Sequence, residues 1–280
     1  MNRQTFLMTG EPNETTEIIM DNNTINNSSS SGQSEWIHTD SSQPPLTCGR
    51  MSRYLKGEAR NALLGHLGTI IGANLLYAVI TYGISFLVSA FLPSTVVGTI
   101  LAEIFSIILG ILYGIFEYGL ITIYMNLQYG QLAKVSDLFN GFRENSDKII
   151  LVEAYLVILE TLVLLPSLIA YYAIPGDVGY SAYIVLNALG SLVFFFIELH
   201  YMLSLYILLD FPDMEWKDVL KKSRSMMKGY KKRWFYVELS FLPLYLLSIL
   251  TLGIASVLVM GYEQATMAAF YKGRMENKLM

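Results

Sequence analysis

Residues 67–91 read LGTIIGANLLYAVITYGISFLVSAF, an apolar run without one charged side chain. A bilayer core of about 30 Å is crossed by about 20 apolar residues in helical form, so this stretch predicts a membrane span. Working outward, runs of the same kind lie near 96–125, 149–172 and 180–209. A last apolar block extends from Trp234 to Tyr271. As one helix it would be about 57 Å long, too long for a bilayer. Leu250-Thr251-Leu252-Gly253 offers a break, which gives two short spans, 234–250 and 254–271. Such short spans tilt little or thin the bilayer. The expected fold is all-α, a polytopic bundle of six transmembrane helices with amphipathic helices at the cytoplasmic interface.

Composition agrees. The 280 residues are 53% hydrophobic and 15% charged, with mean hydropathy +0.43, against about 25% charged in soluble domains. That excludes an ordinary soluble enzyme. The single cysteine, Cys48, forms no internal disulfide. Residues 1–50 are rich in Asn, Ser and Thr and carry six acidic residues against Arg3 and Arg50. Without apolar periodicity to offset ordering entropy, they are expected to be a disordered tail. They lack the apolar h-region of a signal peptide. Asn13, Asn22, Asn26 and Asn27 fit the N-x-Ser/Thr glycosylation pattern, as chance provides in such a composition. Met51 opens a new segment that reads as an alternative start, and the membrane domain is assigned to 51–280.

Charge placement sets the expected topology. Basic residues of 51–280 fall in four groups. Arg53, Lys56 and Arg60 precede the first span, and Lys134, Arg143 and Lys148 follow the second. Lys217, Lys221, Lys222, Arg224, Lys228, Lys231, Lys232 and Arg233 follow the fourth; Lys272, Arg274 and Lys278 follow the last. Under the positive-inside rule, six crossings place every group, and both termini, in the cytoplasm.

Three of these segments share a pattern: Ala62-Leu63-Leu64-Gly65-His66, Leu138-Phe139-Asn140-Gly141-Phe142 and Met226-Met227-Lys228-Gly229-Tyr230. Each reads apolar, apolar, any, glycine, ring, and Arg60 matches Arg224 upstream. Gly65, Gly141 and Gly229 are expected as structural glycines just past a helix end, where the left-handed conformation costs glycine little. The unit would be an interfacial helix, a glycine cap and a hairpin; common origin and convergence both account for it. The third copy is clearest. Asp213 is its expected N-cap. Trp216, Val219, Leu220, Ser223, Met226 and Met227 form one face, flanked by Lys217, Lys221, Arg224 and Lys228. Bases so placed fix topology, and they are also the expected contact for anionic lipid or a partner.

The spans hold Glu103, Glu117, Glu153, Glu160, Glu198, Glu238 and Glu263 but no Lys or Arg. An ionised group at mid-bilayer costs at least about 2.5–3.5 kcal/mol on insertion scales. Counted from span centres, Glu160, Glu198 and Glu263 lie nearest the midplane and form the candidate intramembrane site. The expected role is protonated hydrogen bonding within the bundle; proton or cation handling is the alternative. Gly68-x-x-x-Gly72 and Gly110-x-x-x-Gly114 are read as close-packing pairs. No G-x-S-x-G, P-loop or H-E-x-x-H is present. Three histidines and one cysteine do not make a zinc site. No cofactor, metal or nucleic-acid partner is expected, and no enzymatic activity.

The second half resembles the bacterial membrane family of domain of unknown function 975. The resemblance is strongest from Tyr206 to Tyr271, through Ile207-Leu208-Leu209-Asp210-Phe211-Pro212-Asp213 and Lys222-Ser223-Arg224-Ser225-Met226-Met227-Lys228-Gly229-Tyr230-Lys231. It continues through Leu239-Ser240-Phe241, Leu250-Thr251-Leu252-Gly253-Ile254 and Thr266-Met267-Ala268-Ala269-Phe270-Tyr271. Echoes at 59–65 and 135–142 extend it over most of 51–272. Pro243 or Leu244 stands where members tend to carry Trp, and Gly261-Tyr262 where they tend to carry Pro-Tyr. The resemblance implies a multi-pass protein of the bacterial plasma membrane and supplies no activity. The expected function is a non-catalytic component binding membrane lipid, a membrane-protein partner or a second copy of itself. A transporter of small solutes or ions with protonatable glutamates is the alternative.

Overall fold

The computed structural model describes residues 47–91, 96–251, 253 and 255–279. The expected disordered tail lies outside the described residues, apart from its last four. Cys48–Arg50 already belong to the first helix, so the boundary placed at Met51 falls inside an element.

The elements are α1 (Cys48–Leu63), α2 (Leu67–Phe91), α3 (Val96–Gln128), a 3₁₀ helix (Val135–Phe142), α4 (Ser146–Ala173) and α5 (Asp177–Glu198). They continue with α6 (Ser204–Asp210), α7 (Trp216–Met227), α8 (Lys231–Leu239), α9 (Leu242–Leu250) and α10 (Ser256–Met275). Among the described residues there is no strand. Five stretches are helical, long and apolar enough to cross a membrane: Leu67–Phe91, Ile100–Gln128, Ser146–Ala173, Asp177–Glu198 and Lys231–Leu250. α10 is not among them, since Glu263, Gln264 and Lys272 dilute its apolar residues.

The periphery is apolar. α5 buries only Gly179 and Gly190 and exposes Val178, Ile184, Val185, Leu189, Leu192 and Val193. In water such a surface would drive association; in lipid it is the surface a span requires. The centre is aromatic: Tyr118, Tyr124, Tyr206, Trp234, Phe241, Phe270 and Tyr271 are each at most 2% exposed. One polar node ties three helices together. Asn74, fully buried, donates from Nδ2 to the Tyr124 hydroxyl at 2.8 Å and to the Val257 carbonyl at 3.2 Å. Gly261 keeps this node closed, because a methyl there would lie 2.7 Å from Asn74 Nδ2.

The node fixes a depth. Val257, at the start of α10, is level with Asn74, two turns into α2, and Gly261 is level with Ile70. α2 continues from Asn74 to Phe91, about 25 Å further at 1.5 Å per residue. The α9–α10 hairpin is therefore shallower than the α2–α3 hairpin. α8 and α9 are also separated at Ser240-Phe241, where the Lys56 ammonium donates to the Ser240 carbonyl at 2.9 Å and lies 4.0 Å from the Phe241 ring centre. The expected span 234–250 is interrupted at this point by a two-residue turn.

The expected span 180–209 is interrupted too. α5 ends at Glu198, residues 199–203 turn, and α6 follows. Leu205, Tyr206, Ile207 and Leu208 are at most 5% exposed, because α6 packs on α3, α4 and α7. Its apolarity serves the protein core, which hydropathy cannot distinguish from a lipid-facing surface. Helix ends that carry bases meet one another. Lys148 donates to the Pro212 carbonyl at 2.7 Å and Lys272 to that of Gln128 at 2.6 Å. The Arg274 guanidinium lies 4.0 Å from the Tyr230 ring centre.

The three glycines divide. Gly65 follows the C-cap Leu64 of α1 with φ +84°, and Gly229 follows the C-cap Lys228 of α7 with φ +85°. Arg60 and Arg224 occupy the last turns of these two helices. Gly141 is not a left-handed cap. It lies inside the 3₁₀ helix, where a methyl would be 2.3 Å from the Ile115 carbonyl oxygen of α3. Gly119 answers from α3, where a methyl would be 1.9 Å from the Leu138 carbonyl oxygen. Elsewhere, Asp213 is not the N-cap of α7; Glu215 is. Gly72 packs near Val135, whereas Gly68 faces open space.

These geometries predict different substitution costs. Gly65→Ala and Gly229→Ala should each cost about 1–2 kcal/mol, the penalty of a left-handed residue bearing Cβ. Gly141→Ala should cost more, since it collides with backbone. Thermal denaturation of the three variants in detergent checks the order.

Candidate functional site

Carboxylates from five helices converge. α3 carries Glu117, α4 carries Glu153 and Glu160 one above the other, α5 ends in Glu198, α8 carries Glu238 and α10 carries Glu263. They line two adjoining cavities. The first, about 290 Å³, is bounded by Glu117, Glu198, Glu238 and Glu263 with Phe195, Tyr206 and Trp234. The second, about 270 Å³, is bounded by Glu117, Glu153, Glu160 and Glu198 with Tyr113, Tyr201 and Ser204. Glu117, Glu198 and Met202 face both. No Lys or Arg lines either cavity among the described residues.

Each carboxylate has a local reason for its position. Gly110 and Gly114 open one face of α3 toward α4, and a methyl on Gly114 would lie 2.0 Å from Glu153 Cγ. The glycine thus makes room for that side chain. Glu117 is one turn further along the same face. Glu153 is within electrostatic reach of Glu117 and Glu198, and Glu198 of Glu160. Glu238 is within reach of Glu263. Glu263 accepts a hydrogen bond from the Tyr245 hydroxyl of α9. Glu160 and Glu198 are exposed, while Glu117, Glu153, Glu238 and Glu263 are half-buried. Ser204 stands at the wall of the second cavity; its Oγ, in a residue 1% exposed, has no hydrogen-bond partner among the described residues.

At its α5 end the acidic region is bridged to α8. Phe195 and Phe196 contact Phe235 with centroids 6.1 and 6.5 Å apart. The Lys231 ammonium donates to His200 Nε2, and His200 Nδ1 faces the Phe196 carbonyl at 2.9 Å. These partners assign the His200 proton to Nδ1.

The structure thus brings the sequence-predicted Glu160, Glu198 and Glu263 into one acidic region. Glu198 and Glu263 line the first cavity, Glu160 and Glu198 the second. Glu198 lies at the end of α5 rather than mid-helix, because its span stops there. Glu117 is not among the three acids nearest the span centres, yet it is common to both cavities. Gly110, Gly114 and Glu117, spaced four and three apart, could have identified that face from sequence. Glu103 lines neither cavity.

Most bases of the predicted patch are engaged one by one. Arg224 donates to the Tyr201 hydroxyl at 2.8 Å. Lys221 pairs with Asp218 at 2.9 Å on the surface, where such a pair contributes about 0–1 kcal/mol. Lys217 lies 5.4 Å from the Trp216 ring centre, and Lys228 is exposed. Lys222 lies 3.4 Å from the Phe211 ring centre; burial lowers its ammonium pKa, and nearby Asp210 opposes the shift.

The Gly114–Glu153 fit has a direct test. Gly114→Ala should destabilise the protein by about 1–3 kcal/mol, as overpacking does. In a Glu153→Ala background the same substitution should be near neutral. A double-mutant cycle on melting temperature measures the coupling.

No solved structure and no curated protein matches the chain significantly. A family model described as "Protein of unknown function (DUF975)" matches residues 51–278. This match covers nearly all of the helical region just described, so the chain belongs to the DUF975 family.

Proposed function

We propose that this multi-pass protein binds cations in its acidic cavities and carries them, as protons or small cationic solutes, across the membrane. One observation carries the reading: six carboxyl groups from five helices line two adjoining cavities with no Lys or Arg in their linings among the described residues. Ionisable groups in spans are costly and tend to mark ion or substrate pathways. The alternative in which α7 recruits lipid as the main activity has less support, because Arg224 and Lys221 have partners within the chain. Lys217 and Lys228 remain the residues proposed to touch anionic headgroups. The proposed setting is the bacterial plasma membrane, with six passes, the last two short, and both termini cytoplasmic. The convergence of basic helix ends supports it.

Two measurements test this. Proteoliposomes should show protein-dependent proton or methylammonium influx under an imposed potential. Glu198→Gln should reduce that flux at least tenfold at equal reconstituted protein, while Glu103→Gln, outside the cavities, should leave it unchanged. Gln keeps the shape and an acceptor but cannot carry the negative charge. Absent flux of both species, or equal flux in Glu198→Gln, overturns the reading. For topology, single cysteines in a Cys48→Ser protein should react with an impermeant maleimide in intact cells at Val178. At Lys228 and Lys278 they should react only after permeabilisation.

A further inference from the structure

We infer that the two acidic cavities form one site for a linear organic diamine or polyamine, an ammonium group held in each cavity and the methylene spacer passing between them. The inference rests on the cation-binding reading above and names the class of cation. Four features select it over a metal ion or a single ammonium.

The carboxyl groups are distributed rather than focused. Among the described residues no three His, Cys, Asp or Glu side chains converge at metal-ligand range. Glu238 and Glu263 belong to the first cavity alone, Glu153 and Glu160 to the second, and Glu117 and Glu198 to both. One residue common to both linings is apolar: Met202, whose thioether side chain adapts to an alkyl chain. Aromatic side chains line both cavities, Trp234, Tyr206 and Phe195 in one and Tyr113 and Tyr201 in the other. Such rings attract ammonium groups. Finally, Ser204 lines the second cavity and its buried Oγ has no hydrogen-bond partner among the described residues; a turn of its side chain would be needed to offer it to an ammonium hydrogen. Each cavity is close to the lower limit of about 300 Å³ for small-molecule sites, so a slender ligand using both suits the space.

Trp234 provides the readout. The chain has three tryptophans, Trp36, Trp216 and Trp234, so a Trp36→Phe/Trp216→Phe protein in neutral detergent reports from the first cavity alone. Spermidine should shift its emission saturably, with an apparent Kd at least tenfold below that of methylammonium, Na⁺ or Mg²⁺. Calorimetric titration of the unsubstituted protein should give the same ranking. Glu160→Gln and Glu238→Gln, in separate cavities, should each weaken spermidine at least fivefold, whereas methylammonium should be affected by at most one of them. Equal affinity for spermidine and methylammonium, or tighter Mg²⁺ binding, overturns the polyamine inference and leaves the cation reading intact. No response to any of these cations by either method, together with absent flux in proteoliposomes, removes both.

Discussion

A bilayer offers a buried polar group no partner but the protein itself. The Asn74 node shows how this chain meets that constraint: one amide joins Tyr124 of α3 and the Val257 carbonyl of α10 to α2. Three helices are thereby held at a fixed depth, and the close approach at Gly261 follows from it. Threonines and serines along the spans return their hydroxyl hydrogens to their own helix, as Thr81, Thr122, Thr161 and Ser248 do. The carboxyl groups are the exception. They are gathered rather than individually neutralised by bases, and that departure makes the acidic cavities the functional candidate.

The division of charge follows the same logic. Bases stay near the helix ends, where they meet backbone carbonyls at Pro212, Gln128 and Ser240 or aromatic rings. Acids occupy the helices between. An ammonium on a flexible stem reaches a terminal carbonyl easily, so the basic groups tie loops to helix ends. The same reach draws Lys231 to His200 beside the aromatic bridge between α5 and α8. The ends of those helices therefore bound the acidic region.

Much of this was legible in the sequence, for identifiable reasons. The uncharged run 67–91 became α2 with the expected limits, because nothing in it can end a helix in lipid. The glycines at 65 and 229 cap helices, because a terminal glycine after an apolar pair signals a local backbone event. Gly141 shares the pattern but meets a tertiary constraint, the passage of a 3₁₀ helix across α3, which no local pattern encodes. The end of α5 was hidden because Leu205–Leu208 are as apolar as a span while facing protein. The importance of Glu117 was hidden because distance from a span centre says nothing about which neighbours a carboxyl meets. A reading by helix face, using the glycines at 110 and 114, places it correctly.

The shallow α9–α10 hairpin has a consequence for the surrounding lipid. α10 begins near the level of Asn74, while α2 runs on past it with Val79, Tyr82, Phe86, Leu87 and Phe91 exposed. In a membrane that apolar stretch would be left for acyl chains to cover rather than for α10.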